Sequence, residues 1–207
     1  LVAIVLIFAF ILALIVGRYE ISLGDFFKML FGAEGYDIER SIVINLRLPR
    51  TIIAALTGVA LSVSGLLYQE TFQNKLVSPD LLGVSSGAGV GAALSIVLGL
   101  SSVFVSFFAF GFGVLTVLAT MFVAKAFQNK SSMVLTLSGI IVGGCMGAVL
   151  SFIKYLADAE TTLASITFWL MGSFEQSVME DVYVLLPIVA VCSIVILAIS
   201  YRVNIVA

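Results

Sequence analysis

An all-α, polytopic transmembrane bundle is the fold class this sequence predicts, and three observations predict it. Hydrophobic residues fill 61% of 207 positions and charged residues only 11%, whereas a soluble domain is about half apolar and about a quarter charged. The apolar residues fall into runs that approach the length of a spanning helix, about 20 residues. The third observation is where the charges lie: Asp, Glu, Lys and Arg sit between these runs and are missing from their interiors.

Six spans are expected, within one membrane domain over 1–207. Leu1 to Gly17 is apolar from its first residue, too long and uniform for a signal-peptide core. A polar stretch follows to Arg47, in which Ser22 can cap a short interfacial helix with Leu23, Phe26, Phe27 and Leu30 on one face. The second span, Leu48 to Tyr68, starts at Pro49, whose missing N–H suits a first helical turn. Within it Gly58, Ser62 and Gly65 share a face, as small residues do where helices pack closely in lipid. After a loop closed by Pro79, the third span (Leu81 to Leu100) opens on Gly83, Gly87, Gly89 and Gly91. It is followed by Val103 to Ala126, then by Met133 to Leu156 with Gly139, Gly143, Gly144 and Gly147. The segment from Ala157 to Asp181 is amphipathic, with Phe168 and Trp169 as an interfacial anchor and Gly172 as a turn. In the last span, Val182 to Tyr201, Pro187 should bend or locally open the helix.

The residue inventory narrows the chemistry. With no histidine in the chain, the commonest metal ligand and the usual general base are absent. Cys145 and Cys192 lie inside apolar spans and read as small hydrophobes, not as a disulfide or metal pair. No nucleotide-binding or catalytic motif is present, and the glycines after Pro79 lack the strand that a phosphate loop needs. The sequence therefore predicts no catalytic residue, no metal and no cofactor. A net charge of −2 without a basic run argues against nucleic acid. The basic residues leave orientation open: Lys75, Lys125, Lys130 and Arg202 fall on the side of the termini, and Arg18, Lys28, Arg40, Arg47, Arg50 and Lys154 on the other.

One block carries a resemblance. Arg47-Leu48-Pro49-Arg50, then Gly58, Ser64-Gly65 and Gln69, then Asn74-x-Leu76-x-x-Pro79 and Leu82-Gly83-x-Ser85-x-Gly87-Ala88-Gly89 together resemble the iron-siderophore, haem and cobalamin ABC importer permeases. Leu137-x-Gly139, Phe168-Trp169-x-Met171-Gly172-Ser173-Phe174 and Asn204 extend the likeness. The resemblance implies a multi-pass permease of the bacterial cytoplasmic membrane that imports such chelates without itself acting as an enzyme. Its implied partners are a cytoplasmic ATPase, an extracytoplasmic substrate-binding protein, and a second permease copy in a homodimer or a paralogous heterodimer. It also implies a longer parent permease of ten spans, with this sequence stopping just before the cytoplasmic loop that couples to the ATPase.

The same resemblance assigns residues. Arg47 and Arg50 would lie outside and dock acidic groups of the binding protein, a task that suits the planar guanidinium fork. Asn74, Leu76 and Ser132 would narrow the cytoplasmic end of the pathway, with Lys75 standing where the family usually has proline. Gly58, Gly65, Gly83, Gly87, Gly139, Gly143 and Gly147 would line the pathway or pack its helices. A secondary transporter driven by an ion gradient is the alternative. It calls for ionisable residues at mid-membrane depth and repeated broken helices, which the sequence does not offer. An intramembrane enzyme would need acids, bases or ligands inside the spans.

Overall fold

The computed structural model describes residues 1–30, 35–73, 78–127 and 132–206. Among the described residues the chain is helical. Its helices are α1 (Val2–Ile15), α2 (Leu23–Leu30), α3 (Asp37–Ile42), α4 (Leu48–Phe72), α5 (Val84–Val97), α6 (Ser102–Ala126), α7 (Ser132–Leu156), α8 (Thr162–Met171) and α9 (Met179–Val206). Four helical runs are long and apolar enough to cross a membrane: Asp37–Phe72, Ser102–Ala126, Met133–Leu156 and Met179–Ile199. The other two expected spans are shorter. Both α1 and α5 have 14 residues, about 21 Å of helix against about 30 Å of hydrocarbon. α5 is cut to this length by left-handed residues at both ends, Gly83 (φ 75°) and Gly99 (φ 67°).

One further expectation needs correction. Pro49 does not open a helix, because α3 runs into α4 through a π-turn at Val43–Arg47. In that turn the Leu48 N–H reaches back five residues to the Val43 carbonyl. Widening the helix just before a proline relieves the clash its ring would make with the preceding turn. On α2, Phe26 and Met29 are buried, while Leu23 and Phe27 are exposed. Its cap is as expected, since Ser22 Oγ accepts the Asp25 N–H at 3.1 Å. α9 continues through Pro187 as helix, and Gly172 turns the chain after α8 (φ 72°).

The chain separates into two compact units, with α4 and α9 passing from one to the other. The first comprises Leu1–Val63 and Phe174–Ala198, the second Ser64–Ser173 and Ile199–Ala207. The core of the first unit is Leu14, Ile21, Phe26, Met29 and Val43, which joins the end of α1 to α2 and the π-turn. In the second unit α5 is the central helix, packed on α6, α7 and α8. Its interior residues are small: Gly87, Gly89, Gly91, Ala92, Ala93 and Ser95 are all buried.

Candidate functional site

The first candidate region lies where α1 ends. The last carbonyls of a helix have no partner within it, and here Arg47 supplies one. Its Nη1 donates to Leu14 O at 2.9 Å and to Ile15 O, and its Nη2 donates to Tyr19 O. Only 9% of Arg47 is exposed. Gly17 makes the approach possible, because an added Cβ there would lie 2.7 Å from Arg47 Nη2. Arg47 is thus turned inward as the cap of α1.

Arg50, one helical turn on, donates from Nη2 to the Glu175 carbonyl at 2.6 Å. Its Nε is buried and has no hydrogen-bond partner among the described residues. Together with Arg18 and Tyr19 the two arginines line a cavity of about 380 Å³. Nearby polar contacts organise the loop below α1. The Tyr19 hydroxyl donates to Glu39 at 3.1 Å, and this hydrogen bond, together with the carboxylate's negative charge, raises the phenol above its ordinary pKa. Asp25 accepts from Ser22 Oγ at 2.7 Å and from the Tyr36 hydroxyl at 3.1 Å. These two donors hold its carboxyl below the usual aspartate value.

The second region is a junction of backbones in the second unit. Pro79–Leu82 forms one tight helical turn, and Gly83 follows it into α5. An added Cβ at Gly83 would lie 2.7 Å from Gly143 Cα, and one at Gly139 would lie 2.9 Å from Leu82 Cα. The turn therefore sits directly on the main chain of α7. From the α6 side, Thr120 donates to Leu82 O at 3.1 Å, and Thr116 fills the space that glycine leaves at position 87. Both threonines are completely buried. Gly91 meets the Phe108 carbonyl of α6 in the same manner, so α5 and α6 touch along a glycine strip of the small-xxx-small type.

The predicted glycines accordingly divide into two groups. Gly83, Gly87, Gly139 and Gly143 are in close contact, whereas Gly58, Gly65 and Gly147 have nothing among the described residues within 4 Å of an added Cβ. Asn74 and Leu76 lie outside the described residues. Ser132 begins α7, and its side chain is likewise not described. Sequence reasoning missed Gly17, Thr116 and Thr120. The only available signal for the threonines was their i, i+4 spacing inside an apolar span. Among the described residues no cluster of His, Cys, Asp or Glu could hold a metal ion.

Comparison with known proteins places the whole chain. The profile of the FecCD transport family matches residues 5–207. The molybdate import system permease protein of Haemophilus influenzae is 35% identical over 205 residues, covering 96% of this chain and 60% of the relative. The cobalamin import system permease protein of Halobacterium salinarum is 35% identical over 165 residues, or 79% of this chain and 44% of that protein. Among solved structures, a metal-chelate type ABC transporter in an inward-facing conformation superposes with a TM-score of 0.84 at 30% identity. That match covers 99% of this chain and 62% of the other. The chain thus spans between 44% and 60% of the length of these relatives.

Proposed function

This chain belongs to the FecCD transport family, and from that premise we propose that it serves as permease in an ATP-driven importer of the cytoplasmic membrane. The observation that carries the proposal is the structural likeness to a metal-chelate type ABC transporter over nearly the whole chain. The cargo we propose is a metal-bearing solute: an iron-siderophore, haem or cobalamin-type chelate, or an oxyanion such as the one named for the Haemophilus influenzae relative. The permease performs no chemistry on it. A separate ATPase supplies the energy, and an extracytoplasmic binding protein delivers the cargo.

Each region has a place in this scheme. Arg50, part-exposed, is the residue proposed to meet an acidic group of the binding protein, and Arg47 holds the end of α1 beneath it. The turn Pro79–Leu82, seated on α6 and α7, forms a fixed base for the preceding segment. Asn74 and Leu76 in that segment, with Ser132, are proposed to narrow the cytoplasmic exit. Fixing one side of a gate lets helix shifts pass between discrete packings without strain spreading through the bundle. Gly58, Gly65 and Gly147, open within this chain, are proposed to face the pathway or a second permease copy.

Assembly tests the proposal. The chain, produced from its native reading frame with the ATPase of the same transport system, should co-purify with it as a stable membrane complex. Recovery of the permease alone, under conditions that keep the ATPase folded, would count against it.

A further inference from the structure

The cavity at the end of α1 has a composition that importer function does not explain. Three guanidinium groups line it, from Arg18, Arg47 and Arg50, and among the described residues no acidic side chain does. The ion pair identified among the described residues, Lys28 with Asp25, lies elsewhere. Arg47 is committed to carbonyls, which satisfies its donors but leaves its charge uncancelled. Arg50 Nε is buried without a partner among the described residues, so the charge of this side chain is not cancelled locally either. The Arg18 side chain is exposed at the rim. The rest of the lining is of the opposite kind, with Val16 at 65% and Leu46 at 49% exposure. Tyr19, also on the lining, is the type of residue that settles at headgroup level.

Concentrated positive charge beside exposed apolar residues, where a helix leaves the bilayer, matches an amphiphile with an anionic head. We propose that this cavity binds a phosphate oxyanion, carried by the headgroup of an anionic phospholipid. The phosphate would accept from the Arg18 guanidinium in charge-assisted hydrogen bonds, with the Arg47 and Arg50 charges beside it, while the glycerol and upper acyl carbons lie along Val16 and Leu46. Basic pockets between membrane helices recognise headgroups on this principle. The site would tether the α1–α4 corner to the membrane surface whatever cargo is carried. It does not depend on the importer reading.

Native mass spectrometry of the purified full chain tests this, with phosphatidylglycerol, phosphatidylcholine and inorganic phosphate as separate probes. Arg50 is shared with the docking proposal, so the deciding variant is Arg18→Gln, an exposed position whose change leaves the core untouched. The expected result is phosphatidylglycerol retained in preference to phosphatidylcholine, with retention about tenfold weaker in Arg18→Gln, about the contribution of one charge-assisted hydrogen bond. Arg18→Lys should recover part of the loss. Displacement of the lipid by millimolar inorganic phosphate would keep the anion site and assign its occupant to solution. Equal retention of the two lipids in the parent and in Arg18→Gln, with no phosphate bound, would overturn the proposal.

Discussion

Arg47 shows how a single side chain can set the end of a helix. Its donors satisfy carbonyls that would otherwise meet hydrocarbon or be left unpaired at the edge of the bilayer. Arg47→Lys keeps the charge but loses the fork, so at least one carbonyl should go unsatisfied at a cost of about 2 kcal/mol. Gly17→Ala should produce a similar loss by pushing the guanidinium away. Thermal unfolding in detergent checks both, and wild-type stability in either would remove Arg47 from this role. The partners that turn Arg47 inward lie 28 to 33 residues away in the chain, too far for a local motif to reveal. The Ser22 cap was legible because capping is settled within one turn. Asp25, next to it, gives a pH prediction. Its carboxyl titrates below the ordinary 3.8, so its stabilising effect on α2 is full above that value. The effect fades as pH falls through the depressed folded value. Amide exchange in α2 should stay slow from neutral pH to mildly acid conditions and speed up only in strong acid. Loss of protection already near pH 6 would contradict this.

Among the elements, α5 carries the most tightly argued packing. It is short, held between two glycines of left-handed conformation; its small face admits the main chain of α6, and Gly83 at its start meets the main chain of α7. Gly143→Leu should therefore force α7 off the Pro79–Leu82 turn and cost about 1–3 kcal/mol by overpacking. Gly147→Leu, facing open space in this chain, should leave its folding unchanged. Parallel thermal unfolding of the two variants decides the point, and equal destabilisation would refute the division of the glycines. That division could not be read in advance, since a three- or four-residue spacing marks a face without saying whether a neighbour covers it. The spans themselves were legible because hydropathy reports burial in lipid directly. Their ends were less so: the π-turn before Pro49 and the glycines bounding α5 shift helix limits without changing hydropathy. Which apolar residues of α2 are buried was not legible, because only packing against α1 and the π-turn selects Phe26 and Met29.

For the molecule as a whole, the class of protein was legible in composition and in one ordered block of residues, and the matching family profile agrees with it. The cargo was not, because small and apolar residues accept many solutes alike. The proposed function makes uptake depend on ATP and not on an ion gradient. The most direct measurement is uptake of labelled cargo into proteoliposomes holding the native permease, its ATPase and its binding protein. ATP on the ATPase side is one condition, and an imposed proton or sodium gradient is the other. The account predicts uptake with ATP that persists when ionophores collapse every gradient, and none with a gradient alone. Uptake that follows the gradient and ignores ATP would contradict it.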